Sequence, residues 1–320
     1  MIVCEGLPTT KSVPWRAQTP RALLVGRGPW AQNIMRSLDE LKVSYTVCGK
    51  ETALYSIYHA RECGNTHVII ATPLSTHCNL ITEVLHDSDE SRPVLPIFAE
   101  KPLALSVHEV EVLKERWLRN GQPKFLVDSV HLFAAGVEAM YKLGQRYDVT
   151  GLSFGGPGPV RPDCSPVWDY GWHPLSIIGA LNPHRKLDPQ EWFGEPGDDG
   201  QFCVDGSGWG SAFDVSNKLE HKFMGGIVRF PAHQFILTNE GWMRYTQGLS
   251  QPTPFPFSDA PPLKRALQLF LDDSHDWKND YRFGFDLPLA VTRVLEKLCP
   301  STGPATPSTA QPHSAKNKVV

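Results

Sequence analysis

The chain has 320 residues, 41% of them hydrophobic and 20% charged, and its formal net charge is -3. This apolar fraction is too high, and the charge imbalance too small, for an intrinsically disordered protein. Because 31 Lys and Arg residues nearly balance 34 Asp and Glu residues, the sequence offers no global basic field for nucleic acid or an acidic membrane. The length is enough for about two domains.

The cysteines and the apolar runs indicate in which cellular compartment the protein is expected. Seven cysteines are scattered along the chain without a Cys-x-x-Cys pair, a pattern that fits free thiols better than a disulfide framework or a zinc site. No apolar run reaches the ~18 to 20 residues that span a bilayer, and the first residues lack the apolar core of a secretory signal. We therefore expect a cytoplasmic protein without a metal site.

Between residues 21 and 130, short apolar strands alternate with helices. The predicted strands cover 22–25, 43–47, 67–71, 94–99 and 125–130. The predicted helices cover 30–41, 51–60, 75–86 and 106–119, and the last opens with a capping box from Ser106 to Glu109. Strands that are apolar along their whole length and separated by helices are typical of a doubly wound parallel sheet covered on both faces. The predicted class of this first domain, 21–130, is therefore α/β.

The second half, 131–299, has a different pattern. Predicted strands at 149–154, 226–230 and 234–239 lie among loops rich in Gly and Pro, and predicted helices cover 174–181, 262–271 and 287–298. This pattern indicates an α+β substrate domain with a mostly antiparallel open sheet. Residues 1–20, rich in Pro and Thr, are predicted to be an N-terminal extension. Residues 300–320 contain no aromatic residue and are predicted to be a disordered tail.

A glycine-rich turn follows the first predicted strand. It reads Gly26-Arg27-Gly28-Pro29-Trp30-Ala31, a Gly-x-Gly-x-x-Ala version of the dinucleotide-binding fingerprint. In that fingerprint the first glycine permits a tight turn, the second lets the backbone approach a pyrophosphate, and the small third residue lets helix and strand pack closely. The helix that follows directs its N-terminal amides at the phosphates. The run predicts a Rossmann-type NAD(P) site; the alternative is a purely structural turn.

The end of the second predicted strand indicates which dinucleotide is bound. An acidic residue about 20 positions after the fingerprint would bind the ribose 2′-hydroxyl of NAD, and the strand instead ends in Val47-Cys48-Gly49-Lys50, with Glu51 just beyond. Lys50 and Arg27 are suited to a 2′-phosphate, which favours NADP(H). The alternative is that both are solvated surface cations.

Three further motifs follow along the chain. One strand runs into Thr72-Pro73-Leu74-Ser75-Thr76-His77, and the next runs into Glu100-Lys101-Pro102. Asp169-Tyr170-Gly171-Trp172-His173 has the form Asp-x-Gly-x-His. In the order and spacing of these motifs, residues 21–298 resemble the Gfo/Idh/MocA oxidoreductase family.

The resemblance implies an activity and a set of site residues. Members of this family bind NAD(P) in the first domain and oxidise or reduce a carbinol or carbonyl carbon, usually of a sugar or cyclitol, in the second. The resemblance implies that Lys101 lies beside the nicotinamide and the substrate, and that Asp169 and His173 complete the proton-handling group. It also implies a homo-oligomer, a dimer or tetramer, because relatives often pair through the exposed face of the second sheet.

The residue types agree with those roles. Removing a hydride from a carbinol also requires removal of the hydroxyl proton, a step to which histidine is suited. A lysine in a cleft can polarise the oxygen, and a carboxylate can hold the cation in place. The alternatives are a surface Lys101, a core His173 and an Asp169 that caps the next helix. Because Pro174 disfavours helical geometry at the residue before it, we expect His173 on a turn.

Other candidates surround this group. Thr72, Pro73, His77 and Glu100 are expected to line the cofactor cleft. His131, after the last strand of the first domain, is a candidate contact to the substrate or the nicotinamide. Arg161, in the loop 155–162, is a candidate contact to an anionic or hydroxylated group; the alternative for Arg161 is a plain surface cation, and for His77 a structural role.

The sequence therefore predicts an NAD(P)-dependent oxidoreductase that acts on CH-OH groups of a sugar-like substrate, with NADP(H) favoured and without a metal, nucleic acid or membrane partner. Two other functions stay open. One is a non-catalytic dinucleotide-binding sensor or assembly protein with the same fold, and the other is a redox-assisted glycosidase.

Overall fold

A computed structural model describes residues 19–86, 94–144, 149, 151–157, 165–182, 185–196, 201–206, 211–216, 225–231, 233–238, 241–246, 251, 253–254 and 260–299. The predicted disordered tail, 300–320, and all but the last two residues of the predicted N-terminal extension lie outside these residues. The loop 158–164, which contains Arg161, also lies outside them.

The first sheet is parallel and has five strands. They are β1 (Arg21–Val25), β2 (Ser44–Cys48), β3 (His67–Ile70), β4 (Ile97–Ala99) and β5 (Phe125–Val127), in the order β2-β1-β3-β4-β5. Every residue of β3, β4 and β5 is buried, as expected for strands covered on both faces. The predicted doubly wound α/β class is confirmed.

Four helices alternate with these strands: α1 (Pro29–Glu40), α2 (Ala53–Tyr58), α3 (His77–Leu85) and α4 (Val107–Arg119). The predicted capping box begins α4, because Ser106 Oγ accepts the Glu109 backbone N–H at 3.2 Å and Glu109 Oε2 accepts the Leu105 N–H at 3.0 Å. The helix predicted at 51–60 is shorter in the structure, since Lys50–Thr52 forms a separate 3-10 turn before α2.

The end of β5 differs from the prediction. The strand stops at Val127 rather than at residue 130. The Asp128 backbone N–H still donates to Ala99 O at 2.7 Å, but Ser129 turns the chain with ψ 61° into a 3-10 turn over Val130–Phe133. The side chains of Asp128 and Ser129 bond to tryptophans of other elements, so tertiary contacts that the apolar pattern does not carry set this turn.

The second sheet has eight strands and follows α5 (Ala135–Gly144). Its strands are β6 (Gly151–Pro157), β7 (Trp192–Pro196), β8 (Gln201–Gly206), β9 (Ser211–Ser216), β10 (Gly225–Arg229), β11 (His233–Thr238), β12 (Gly241–Thr246) and β13 (Thr253–Pro254). The order is β13-β12-β11-β10-β6-β9-β8-β7. Neighbours pair antiparallel except for β6 with β9, which are parallel. The predicted mostly antiparallel sheet is confirmed.

Two helices carry the Asp-x-Gly-x-His motif between β6 and β7: α6 (Pro166–Tyr170) and α7 (Trp172–Leu181). The expectation of a turn at His173 was wrong, because α7 begins at Trp172 and His173 lies in its first turn. Pro174 is tolerated there because first-turn N–H groups have no intrahelical acceptor to lose. Gly171 joins the two helices, and a Cβ on it would lie only 2.4 Å from Val167 O.

The last two helices return to the first sheet. α8 (Pro262–Leu271) packs against α1, and α9 (Asp286–Leu298) packs against α4 and α7. Between them, Phe283 forms an antiparallel bridge to Leu126 of β5. The C-terminal segment therefore packs against the first sheet, and the division of the chain at residue 130 stays a prediction.

The helices are short. The longest in the described part of the chain, α4 and α9, have 13 residues each, whereas a membrane-spanning helix needs about 20 apolar residues. Within the described residues, no helix has the length and apolar character to cross a membrane.

A buried histidine begins β3, at the edge of the first sheet opposite the carboxyl ends of the strands. His67 is 1% exposed, and its Nδ1 lies 2.8 Å from Thr66 Oγ1. Burial, and to a smaller extent the positive charge of Lys124, lower the pKa of His67 from 6.5 to about 3. The folded chain therefore keeps this imidazole neutral under conditions in which the unfolded chain protonates it.

We expect acid to destabilise the fold through His67. Its contribution to stability is complete above pH 6.5 and is lost as the pH falls toward 3, because only the unfolded chain takes up the proton in that window. Asn at this position keeps a partner for Thr66 but does not titrate. Between about pH 7.5 and about pH 4.5, the urea-unfolding free energy of wild type should fall by about 2–3 kcal/mol more than that of His67→Asn. Equal losses in the two chains would contradict the prediction.

Candidate active site

Residues singled out in the sequence meet at one edge of the first sheet. Parallel strands present their carboxyl ends at the same edge, and ligands bind where the strand order reverses, here between β1 and β3. Arg27 follows β1, Lys50 follows β2, Thr72 follows β3, Lys101 follows β4 and His131 follows β5. The fold therefore brings together groups that are distributed over a hundred residues of sequence.

The glycine turn has the geometry of a phosphate-binding turn. Gly26 has φ +129°, and a Cβ on it would lie 2.1 Å from Ala71 O, so a side chain is excluded. Gly28 is the N-cap of α1, without a side-chain cap in the described chain, and a Cβ on it would meet no atom within 4 Å. Ala31 is fully buried against the sheet.

These residues fit a dinucleotide diphosphate. Open space over Gly28 leaves room for the phosphates, and the uncapped first-turn amides of α1 are donors that an anion would satisfy. Trp30 does not fill this space, since its indole Nε1 donates to Asp128 Oδ2, after β5, at 2.9 Å. Pro29, at the first position of the helix, removes no N–H bond from α1.

Both cations proposed for a 2′-phosphate lie at this edge. A Cβ on Gly49 would lie 3.6 Å from Arg27 Nε and 3.4 Å from Glu51 Oε2, so these two side chains flank the end of β2. Arg27, Lys50 and Glu51 are all exposed. The end of β2 therefore carries two positive charges, from Arg27 and Lys50, and one carboxylate, from Glu51. In NAD enzymes a carboxylate at this place binds the ribose 2′-hydroxyl.

Lys101 and Asp169 form a buried ion pair. The lysine is 5% exposed and the aspartate 1%. Lys101 Nζ donates to Asp169 Oδ1 at 2.7 Å and to the Asp169 carbonyl oxygen at 2.7 Å, across 68 residues of sequence. These two bonds use two of the three ammonium donors and leave one for a further acceptor. The surface-lysine alternative for Lys101 does not fit this burial.

His173 lies next to His131. The two ring centroids are 4.5 Å apart and the planes cross at 84°. Both side chains are partly exposed, unlike Lys101 and Asp169. Trp172 fixes the first turn of α7 to the end of β5, because its Nε1 donates to Ser129 Oγ at 2.8 Å. The structure therefore brings both predicted histidines to one place.

The three candidate residues after β3 differ from one another in exposure. Pro73 is exposed and Thr72 partly exposed, where Thr72 Oγ1 accepts from Thr76 Oγ1 at 2.7 Å. His77 is 1% exposed, and its two ring nitrogens lie 2.9 Å from Pro102 O and 2.9 Å from Thr72 O. His77 thus braces the loop after β3 against the loop that follows Lys101.

Sequence reasoning missed Asp128 and Ser129. Both were assigned to the strand predicted at 125–130, although two polar residues after an apolar run are a signal that a strand has reached its functional edge. Asp128 is 1% exposed and bonds to Trp30, and Ser129 is 5% exposed and bonds to Trp172. The pair links the glycine turn to the Asp-x-Gly-x-His helices.

The groups gathered here are those of acid–base chemistry. An ammonium held by a carboxylate can donate to an oxygen, and an imidazole at the same edge of the sheet can take or return a proton. Burial strengthens the interaction of the ammonium with any oxygen that reaches it. In the part of the chain that the structure describes, no group of three or more His, Cys, Asp or Glu residues could hold a metal ion.

No protein-family model matches this sequence, and no curated protein matches it. Solved structures do. The UDP-N-acetylglucosamine 3-dehydrogenase of Acidithiobacillus ferrooxidans superposes with a TM-score of 0.69 at 13% identity, covering 87% of this chain and 96% of that one. A Gfo/Idh/MocA family oxidoreductase from Vibrio cholerae gives 0.68 at 15% identity, covering 88% and 97%. The fold is that of the Gfo/Idh/MocA-type oxidoreductases.

A third structure with this fold has ligands bound. It is an inositol dehydrogenase homolog from Azotobacter vinelandii complexed with NADH and myo-inositol, with a TM-score of 0.67 and 15% identity over 88% of this chain and 96% of that one. Identities this low establish a shared Gfo/Idh/MocA-type fold. Cofactor and substrate must be argued from the residues of this chain.

Proposed function

We propose that this chain is an NAD(P)-dependent oxidoreductase of the Gfo/Idh/MocA family that moves a hydride between a nicotinamide cofactor and a carbinol or carbonyl carbon of a sugar, cyclitol or similar small molecule. The observation that carries the proposal is the Lys101–Asp169 contact at 2.7 Å, buried at the strand edge that also holds the glycine turn. A nicotinamide cofactor, when bound, supplies the hydride acceptor or donor.

Three residues of this chain handle the oxygen and its proton. In the oxidative direction Lys101 donates a hydrogen bond to the substrate hydroxyl oxygen and stabilises the negative charge that develops on it. Asp169 holds the ammonium in place through its carboxylate and its backbone carbonyl. His173 accepts the hydroxyl proton, and the adjacent His131 ring fixes the imidazole from the side.

A purely binding role fits this site less well. Burying an ammonium and a carboxylate costs several kcal/mol of desolvation, which their mutual attraction offsets only in good geometry. A dinucleotide sensor needs the glycine turn but has no chemical need for a buried ion pair beside it. The names of similar structures, which include a sugar-nucleotide dehydrogenase and an inositol dehydrogenase homolog, also support the catalytic function.

The test is a screen for hydride transfer. Sugars, cyclitols, sugar acids and nucleotide sugars are supplied with NADP⁺ and NAD⁺, or their oxidised forms with NADPH and NADH, and absorbance of the reduced nicotinamide is followed. Turnover that depends on one class of substrate supports the proposal. Tight cofactor binding without turnover across the panel would instead favour the sensor. Release of an aglycone from glycosides without net cofactor reduction would favour the redox-assisted glycosidase.

Cofactor preference provides a separate prediction. If Arg27 and Lys50 bind a 2′-phosphate, the double variant Arg27→Ala/Lys50→Ala should weaken NADPH binding by about tenfold or more and NADH binding by less than about threefold, because each charge-assisted hydrogen bond contributes about 1.5–3 kcal/mol. Tryptophan fluorescence titration measures both affinities. Glu51→Ala is the matched control and should weaken only NADH. Equal losses of NADPH and NADH in the double variant would contradict a 2′-phosphate site.

The predicted cytoplasmic location and the predicted dimer or tetramer stay predictions.

A further inference from the structure

Asp128 lies between the first turn of α1, which follows the glycine turn, and the loop that carries Lys101. It directly follows β5, and its backbone N–H donates to Ala99 O, the residue before Glu100, at 2.7 Å. Its side chain is 1% exposed and reaches the first turn of α1, where Trp30 Nε1 donates to Oδ2 at 2.9 Å across 98 residues of sequence. One carboxyl group thus contacts the glycine-turn helix and lies against the loop that carries Lys101.

The second oxygen of Asp128 has an unusual neighbour. Oδ1 is buried and receives no N–H or O–H bond from any side chain or backbone group in the described chain. Glu100 Oε2 is also buried, and a side-chain hydrogen bond with Glu100 is among the causes that raise the pKa of Asp128. Two ionised carboxylates are acceptors only, so they can be bonded to each other only if one of them carries a proton.

The surroundings decide which carboxyl holds that proton. Burial and the negative charge of Glu100 raise the pKa of Asp128 well above its usual value, and the indole of Trp30 and the positive charge of Lys101 oppose this only in part. The charged side chains that act on Asp128 are Glu100 and Lys101 at the end of β4, and α1 presents only the neutral Trp30. These influences favour the protonated form of Asp128.

We propose that Asp128 is a positioning residue that works as a neutral carboxylic acid, donating its proton to Glu100 and accepting the Trp30 indole, and so fixes the glycine-turn helix relative to Lys101. The inference rests on the proposed function for what the site does, since it assumes that a dinucleotide lies between α1 and Lys101. The proton itself is a property of the cofactor-free chain.

The shared proton also limits the charge around Lys101. With Asp128 neutral, the negative charges of this region are the carboxylate of Asp169, which is bonded to Lys101, and that of Glu100, which acts on Asp128. Loss of the proton places a third negative charge in the same buried region, where like charges repel strongly. Glu100 and Asp128 would then separate, and the first turn of α1 would lose its fixed position. Cofactor binding should therefore weaken at alkaline pH.

Three variants separate the proton that Asp128 donates to Glu100 from the bond that it accepts from Trp30. Asp128→Asn keeps the shape, offers a permanent N–H donor to Glu100 and keeps an oxygen for Trp30, but cannot ionise. Asp128→Ala removes both contacts. Trp30→Phe keeps an aromatic ring and removes only the indole donor. A merely structural role for Asp128 would make the first two variants differ in stability alone, without changing the pH dependence of cofactor binding.

The first readout needs no cofactor and no substrate. Infrared difference spectra of wild type minus Asp128→Asn at neutral pH should show the C=O stretching band of a protonated carboxylic acid, and that band should disappear as wild type is titrated to alkaline pH. Absence of the band in the difference spectrum overturns the proposal, whatever reaction the protein performs. This result also stands if the oxidoreductase assignment fails.

The second readout is the dissociation constant of NADPH from neutral to alkaline pH, measured by tryptophan fluorescence. Wild type should lose affinity as Asp128 ionises, whereas Asp128→Asn should keep its neutral-pH affinity over the same range. Asp128→Ala and Trp30→Phe should bind more weakly at every pH, Asp128→Ala by roughly tenfold. An alkaline loss retained in Asp128→Asn, or an Asp128→Asn variant as weak as Asp128→Ala, overturns the proposal. If Asp128→Ala does not fold, the infrared result and the Asp128→Asn titration decide it.

Discussion

Replacing Lys101 by Met should lower kcat by about 10² to 10⁴-fold, the contribution expected of a group that stabilises charge and moves protons at the reacting oxygen. Methionine keeps the length of the side chain and its packing but removes the ammonium. Cofactor affinity should change far less, because the glycine turn and α1 stay intact. The measurement is kcat with the substrate found in the screen, together with NADPH affinity from fluorescence.

The same variant should also lose stability, and this loss must be separated from the chemistry. Removing one partner of a buried ion pair leaves the other charge buried and costs about 3–5 kcal/mol. Asp169 is 1% exposed, so Lys101→Met leaves a buried carboxylate without its cation. Lys101→Met/Asp169→Asn removes both charges and should recover most of the unfolding free energy while turnover stays lost.

Lys114 provides the matched control. It also forms an ion pair at 2.8 Å, but with Asp286, whose side chain is 92% exposed. Exposed pairs contribute about 0–1 kcal/mol, so Lys114→Met should change neither stability nor turnover appreciably. Normal turnover in Lys101→Met, or recovery of turnover in the double variant, would contradict the catalytic role of Lys101.

Alanine at the two glycines of the fingerprint should have opposite consequences. Gly26→Ala should destabilise the fold by about 3–5 kcal/mol, since a Cβ would lie 2.1 Å from Ala71 O on a backbone with φ +129°. Gly28→Ala should fold normally, because its Cβ would meet no atom within 4 Å. In the complex, however, that methyl group would occupy the space through which the backbone approaches the diphosphate.

Thermal unfolding and NADPH titration of both variants distinguish the two effects. Gly28→Ala should have a Tm close to wild type and at least about tenfold weaker NADPH binding. The reason is that the added methyl group would keep the diphosphate from approaching the backbone closely. Gly26→Ala should show a lower Tm even without cofactor. Undiminished NADPH affinity in Gly28→Ala would mean that no diphosphate approaches this turn, and the cofactor assignment would fall.

Short-range patterns in the sequence predicted the strands and helices of the first sheet, but only three of the eight strands of the second. Continuous apolar runs predicted β1, β3 and β4, because a strand that is buried on both faces has no solvent-exposed face for polar residues. Ser106 and Glu109 marked the start of α4, since a cap is made by residues only three apart. The glycine turn, the Glu-Lys-Pro run and the Asp-x-Gly-x-His motif were likewise readable, because each is a few consecutive residues.

Only the tertiary structure decided how these segments meet. The family resemblance implied that Lys101 and Asp169 share a site, but no local pattern gives the 2.7 Å bond between Lys101 Nζ and Asp169 across 68 residues. No pattern at all predicted the bond from Trp30 to Asp128 across 98 residues. The end of β5 and the conformation of His173 were predicted wrongly for the same reason. Hydrogen bonds to Ser129 and Asp128 from distant tryptophans override the local pattern at β5. At Pro174, α7 already begins at Trp172 and places His173 in its first turn, against the local preference of a residue before proline. Local sequence specifies local conformation, whereas a buried polar group takes whichever partner the packing of distant elements brings within reach.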